Sequence, residues 1–144
     1  MTIRCEIVSQ DRTVFAGDVD IVVLPGAAGE MGILPKHAPV LTTLKFGLIK
    51  VRRGGKEEVF TVAGGIAEVQ PDIITVLADA AENVEEIDVT RADAARVRAE
   101  EALKNAPTDT DAYLAMEAAL RKSNLRLDAA RRYRKNARSP YSEQ

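Results

Sequence analysis

Histidine, cysteine and tryptophan are almost missing from this chain of 144 residues: it has one histidine, His37, one cysteine, Cys5, and no tryptophan. A single cysteine excludes an intrachain disulfide and fits a reducing compartment. One imidazole and one thiol, in different strand or loop contexts, leave no second histidine for a metal site. The Gly-x-Ser-x-Gly elbow is absent. So is the phosphate loop G-x-x-x-x-G-K-[ST], because Gly54-Gly55-Lys56 runs on into Glu57. Hydrolytic and redox catalysis thus lose their usual residues, and an enzyme would have to work through scattered carboxylates. No stretch approaches the roughly 18 consecutive apolar residues of a membrane span. The opening MTIRCEIVSQ lacks the basic-then-apolar layout of a secretory signal and goes straight into alternation. These absences predict a soluble, cytoplasmic chain with no direct membrane insertion. Aromatics make up only 4% of the residues, so the core must rely on Val, Ile, Leu and Ala.

What is present divides into two halves. The first alternates with period two. Ile3, Cys5 and Ile7 fall on one face of TIRCEIV, and Val19, Ile21 and Val23 do the same in GDVDIVV against Asp18 and Asp20. Turn signals recur at Asp11-Arg12, Pro25-Gly26, Gly54-Gly55, Gly64-Gly65 and Pro71-Asp72. VRRGGKEEV reads as a hairpin, since Gly-Gly supplies the positive φ of a tight primed turn. ITVLADA reads as the last strand. Short strands with regular turns predict an N-terminal antiparallel β-sandwich, or flattened barrel, over residues 1–84. Within it GEMGILPKHAP, residues 29–39, combines two glycines and two prolines with Met31, Ile33 and Leu34. Its backbone is expected not to settle into a regular element.

The second half has helical period. IDVTRADAARVRAEEALKN lacks Gly and Pro and is rich in Ala, Arg and Glu. Asp88 can cap its start, with Thr90 and Asp93 as a second option, and Thr108 stands before Asp111 as a capping box for the next helix. A C-terminal antiparallel two-helix hairpin is predicted over 85–138, with helices at about 88–105 and 109–136, and a disordered tail at 139–144. The architecture is therefore α+β in two parts. The first helix offers the thin stripe Val89, Ala92, Ala95, Ala99, Ala102 and Leu103. Methyl groups contribute little each to burial, so this hairpin is a candidate movable element.

Charge follows the same division. Residues 1–87 hold 8 Lys+Arg and 13 Asp+Glu, net −5, and residues 88–144 hold 12 and 9, net +3. The excess concentrates in Arg121, Lys122, Arg126, Arg131, Arg132, Arg134, Lys135 and Arg138, against the single acid Asp128. One reading is a solvated helix end whose cations complement the dipole; the others are an acidic protein partner or nucleic acid. Only Tyr133 lies within the run to stack on bases, so nucleic acid is disfavoured. On the first helix Asp88 and Arg91 are neighbours and Arg98 projects from nearly the same face as Arg91; on the second, Lys122 and Arg126 share a face. Should these faces converge, an Asp and four cations would surround one volume suited to phosphate, ribose and base. The alternative is a salt-bridged, solvated surface.

Together, GEMGILPKHAP in the first third, GGIAEVQPDIITVLADAAE at the end of the strands, IDVTRADAA and the helical hairpin resemble the epsilon subunit of bacterial and chloroplast F-type ATP synthases. The resemblance covers nearly the whole chain. It implies a non-catalytic rotor subunit of the central stalk that links the gamma subunit to the c-subunit ring. It further implies inhibition of ATP hydrolysis by a movable C-terminal hairpin that reaches the beta (alpha) subunits of the head. The implied location is peripheral, on the cytoplasmic face of the bacterial plasma membrane, with the chloroplast thylakoid as the second choice. Glu30, Met31, Ile33, Leu34 and His37 then become c-ring interface candidates, with Ile33 and Leu34 alternatively tucked beneath the loop. Arg121, Lys122, Arg126, Arg131, Arg132, Arg134 and Lys135 become the inhibitory basic helix. Some family members bind ATP through [IL]-D-x-x-R-A and later basic residues. Ile87, Asp88, Arg91 and Ala92 match that pattern, Glu82, Arg98 and Arg126 fall where further site residues are expected, and Lys122 stands where the pattern has arginine. No cofactor is required on this reading, and ATP is a regulatory ligand.

Overall fold

The computed structural model describes residues 1–108 and 110–134. The chain divides into two compact units, Met1–Asn83 and Val84–Gln144.

The first unit is a β-sandwich cut from one continuous sheet. Its strands are β1 (Ile3–Val8), β2 (Thr13–Val19), β3 (Ile21–Gly26), β4 (Gly29–Ile33), β5 (Val40–Arg53), β6 (Lys56–Val69), β7 (Ile73–Ala78) and β8 (Ala81–Asn83). The hydrogen-bonded order is β2-β1-β7-β6-β5-β3-β4, with β8 also on β6. All pairings are antiparallel except β1 with β7, which is parallel. ITVLADA is not the end of the strands, because the short β8 follows it and pairs with Phe60–Val62 of β6.

Gly54 and Gly55 join β5 to β6 with φ of 57° and 82°, the pair of positive values that a primed two-residue hairpin turn requires. Gly64 and Gly65 carry φ of 88° and 136° for another reason. They are not a turn between strands, as the sequence pattern suggested, but a kink inside β6. Before the kink β6 pairs with β8, and after it β6 pairs with β7. A Cβ on Gly65 would lie 2.4 Å from the Leu77 carbonyl oxygen and 2.8 Å from Ala78 Cα. Only glycine lets the two backbones approach so closely.

The core follows the alternation of β1, where Ile3, Cys5 and Ile7 are buried. The expected face Val19, Ile21, Val23 does not hold. Val22 and Leu24 are fully buried instead, while Ile21 and Val23 are half-buried. The reason is Asp20, which interrupts the strand. Its backbone N–H donates to Arg52 O at 2.7 Å, and its carboxylate accepts from the Gly54 N–H at 2.9 Å. The chain turns a corner there, and the period-two register restarts one residue out of phase. Phe15 and Phe60 meet with ring centroids 5.6 Å apart.

The second unit opens with a 3-10 turn, Val84–Glu86, followed by α1 (Val89–Asn105) and α2 (Asp111–Tyr133). Thr110, not Thr108, caps α2, accepting from the Tyr113 N–H at 3.2 Å. The predicted second helix reaches Asn136, and positions 135–144 lie outside the described residues. Buried helix positions are Ala92 and Ala99 on α1 and Ser123, Ala129 and Ala130 on α2. Val89, expected in the stripe, is exposed. No helix among the described residues is long and apolar enough to cross a membrane.

Gly65→Ala should destabilise the first unit by about 2–4 kcal/mol, because backbone strain and a backbone clash add. Gly54→Ala, with nothing within 4 Å of the new methyl, should cost only about 1–2 kcal/mol of left-handed strain. Urea unfolding of both variants separates the two. Burial pushes the Cys5 thiol up to about 12, so little thiolate exists at neutral pH. Iodoacetamide should leave Cys5 of the folded chain unmodified at pH 8 and alkylate it in urea.

Candidate functional site

The match to [IL]-D-x-x-R-A begins where the 3-10 turn hands over to α1. Ile87 is buried and Asp88 is exposed. Asp88 has extended backbone, φ −80° and ψ 99°, and its Oδ1 accepts from the Arg91 N–H at 3.0 Å. That is an N-cap: the carboxylate satisfies one orphan donor of the first turn and complements the positive end of the helix. The alternative cap at Thr90 is not used, since Thr90 lies inside α1. Ala92 is completely buried.

Arg91 and Arg98 are both exposed on α1, and seven residues bring them back to nearly the same face. Between them lies a cation that the motif does not include. Arg96 donates to Asp93 Oδ1 at 2.9 Å and to Glu100 Oε1 at 2.9 Å. These two acids, first Asp93 and then Glu100, hold its guanidinium further above its ordinary range. The i−3 and i+4 spacing of acids around Arg96 is legible in the sequence and marks a helix-surface brace. On α2, Lys122 is exposed and Arg126 half-buried; Arg121 and Arg126 already make interactions within the protein. Glu82 belongs to β8 in the first unit, half-buried and likewise engaged.

Of the basic run, Arg121, Lys122, Arg131 and Arg132 are exposed and Arg134 is half-buried. Arg121 and Arg132 are separated by about three turns of helix and share a face. Lys135 lies outside the described residues. Arg134 is turned inward. Its Nη2 donates to Val84 O at 3.1 Å and also to Ile87 O, and its Nε approaches Val84 O at 3.4 Å.

The segment 29–39 is more ordered than its glycines and prolines suggested. Residues 29–33 form β4, an edge strand paired with β3. Ile33 is fully buried, so in this structure it belongs to the core and presents nothing to a partner. Met31 is half-buried and packs against that core. Glu30 is exposed, and Leu34 stands out at 57% exposure. Lys36 takes φ 67°, and its N–H donates to Pro71 O at 2.8 Å, pinning the bend. His37 is half-buried, with Nδ1 2.7 Å from Ala38 O. Among the described residues no group of three His, Cys, Asp or Glu side chains could hold a metal ion.

Comparison with known proteins finds two family models along the chain. The ATP synthase delta/epsilon chain β-sandwich domain matches residues 2–84, and the long α-helix domain of the same chain matches residues 85–131. The ATP synthase epsilon chain of Desulforamulus reducens is 47% identical over 129 residues, 90% of this chain and 97% of the relative. That of Dehalococcoides mccartyi is 43% identical over 134 residues, 93% of this chain and 96% of the relative. That of Pelotomaculum thermopropionicum is 52% identical over 102 residues, 71% and 76% of the two chains. A chain in the cryo-EM structure of the Euglena gracilis mitochondrial ATP synthase (OSCP/F1/c-ring) superposes with TM-score 0.74 at 26% identity, over 90% of this chain and 81% of that one. A Tetrahymena thermophila central-stalk chain, at 18% identity and TM-score 0.57, covers 90% and 97% and shares the fold.

The cap can be tested on the full chain. Asp88→Ala should lower the stability of α1 by about 1 kcal/mol, while Asp88→Asn, which still offers an acceptor, should lose much less. Far-ultraviolet circular dichroism during urea titration reads the difference.

Proposed function

The chain belongs to the ATP synthase delta/epsilon chain family, as an epsilon chain, and from that premise we propose that its second unit is a movable, ATP-sensing brake on hydrolysis. In this reading the β-sandwich links the gamma subunit to the c-subunit ring from the cytoplasmic face of a bacterial plasma membrane. The subunit itself catalyses nothing. The hairpin regulates: closed, it leaves rotation free; extended along gamma into the head, it opposes rotation in the hydrolysis direction.

The observation that carries this reading is the composition of the hairpin's buried positions. They are alanines and one serine, Ser123, whose Oγ donates back to Ala119 O at 2.9 Å. Small side chains bury little apolar area, so releasing such a helix costs far less than opening a core of Ile and Val. The cations Arg121, Lys122, Arg131 and Arg132 stand exposed along α2, and Arg126 and Arg134 add to the field. Long-range attraction to an acidic surface on the beta subunits would speed docking and weaken with salt. Exposed Leu34, just past β4 and before the bend pinned by Lys36, and exposed Glu30, at the start of β4, are the residues of the 29–39 segment best placed to meet the c ring. Met31 and His37 are half-buried supports for that surface.

ATP would act as a ligand of the closed hairpin, shifting the population by its differential affinity. Arg91, Arg98, Lys122 and Arg126 would supply charge for the phosphates. Asp88 would accept from ribose or base with the carboxylate oxygen not used in the cap. Ile87 and Ala92 would shape the apolar side. Lys122 brings a point charge where arginine would bring a fork, which predicts weaker binding than in relatives with arginine there.

Calorimetric titration of the full chain with ATP, with ADP as comparison, should give saturable binding near one per chain. Arg91→Ala or Arg126→Ala should abolish it with the sandwich still folded. Unchanged affinity in both variants, or no binding of the parent at millimolar ATP, would remove ATP from the mechanism and return Asp88 and Arg91 to capping and surface charge.

A further inference from the structure

Arg134 stands apart from the exposed cations of the basic run. It lies at the C-terminal cap of α2, where its own N–H donates to Ala130 O at 3.3 Å. Its guanidinium reaches back 50 residues to the carbonyl of Val84 and 47 to that of Ile87. Those carbonyls flank the 3-10 turn, and Val84 O also takes the Ile87 N–H at 3.5 Å. Val84 and Ile87 are themselves buried. A planar fork of fixed donors can bridge two backbone oxygens in this way, and charge-assisted hydrogen bonds are roughly twice as strong as neutral ones. The contact joins the two ends of the second unit, its entry turn and the last turn of its second helix, with the whole hairpin closed between them.

We infer that Arg134 is the latch of the hairpin: its guanidinium holds the end of α2 on the Val84 and Ile87 carbonyls, and it must let go before α2 can leave. The fully buried positions of the two helices are alanines and a serine, so a polar clasp at the open end adds a directional bond that small side chains do not supply. One guanidinium cannot fork onto two carbonyls and pair with an acidic protein surface at the same moment. Closure and docking therefore compete for Arg134, and its removal acts in the opposite sense from removal of the exposed Arg131 or Arg132. The inference rests on the movable-hairpin reading for this regulatory consequence, but not for the clasp itself.

The clasp is tested on the full isolated chain by amide hydrogen exchange of Arg134→Ala, Arg134→Lys and Arg132→Ala. In Arg134→Ala the last turns of α2 and the Ile87 amide should exchange roughly tenfold to a hundredfold faster, with β-strand amides unchanged. Arg134→Lys, with the charge but no fork, should lie between, and Arg132→Ala should match the parent. Equal exchange in Arg134→Ala and Arg132→Ala would overturn the latch. In the assembled ATP synthase, Arg134→Ala should deepen inhibition of ATP hydrolysis, whereas Arg131→Ala and Arg132→Ala should relieve it. Relief by all three would make Arg134 one more docking cation and overturn its role in closure. Hydrolysis unchanged in all three would overturn the brake itself and the latch's regulatory consequence with it, while the exchange result would still decide whether the clasp holds the hairpin.

Discussion

Every strand of the first unit is tied, directly or through its neighbours, to the ladder between β5 and β6. These two strands of 14 residues pair from Val40↔Val69 at one end to Arg53↔Lys56 at the other. On one side β5 carries β3 and, through it, β4; on the other β6 carries β8 and β7, and through β7 the parallel β1 and then β2. A ladder that long cannot stay flat, because strands twist, and its two ends must serve both layers of the sandwich. Gly64 and Gly65 let β6 bend between them. The kink is where the sheet changes partners, and a Cβ on Gly65 would strike the backbone of β7.

The second unit is held by a different kind of force. Its fully buried helix positions are alanines and a serine, with Leu103, Met116, Leu120 and Leu127 only half-buried, and its specific bonds are polar and local: Asp88 capping α1, Thr110 capping α2, Arg96 bracketed by Asp93 and Glu100. Exposed ion pairs are worth little each and are screened by salt. The forked contact from Arg134 to Val84 and Ile87 closes the hairpin on itself. The chain thus joins a first unit whose core is built from buried Ile, Val and Phe to a second that buries Val84, Ile87 and a few alanines and adds directional polar bonds.

The candidate site is partly legible in the sequence. Ile87-Asp88-Val89-Thr90-Arg91-Ala92 reads as a motif, and Asp88 as a helix cap by its position ahead of a Gly-free run. The brace around Arg96 is equally visible in the spacing of its acids, although it falls outside that motif. Arg134 is not legible in this way. Nothing in a linear run of arginines distinguishes the one whose partners are backbone carbonyls about fifty residues earlier from those that face solvent. In the 29–39 segment the glycines and prolines hide a strand: edge position makes Gly29 and Gly32 tolerable, and β3 supplies the hydrogen bonds.

By itself the sequence determined the class of each half. Period two with frequent turn residues can only bury one face as strands, and an Ala-, Arg- and Glu-rich run without Gly or Pro can only do so as helix. It also determined the hairpin turn at Gly54-Gly55, because two adjacent positive φ values are a local demand. Tertiary structure decided the rest. The shift of the buried face from Val23 to Val22 and Leu24 depends on Asp20 meeting Arg52 and Gly54, residues more than thirty positions away. The parallel pairing of β1 with β7, the conversion of Gly64-Gly65 from turn to kink, and the inward turn of Arg134 also depend on distant partners. Local propensity reports what a segment can form, whereas pairing partner and side-chain direction are set by whichever distant backbone leaves a donor or acceptor unsatisfied.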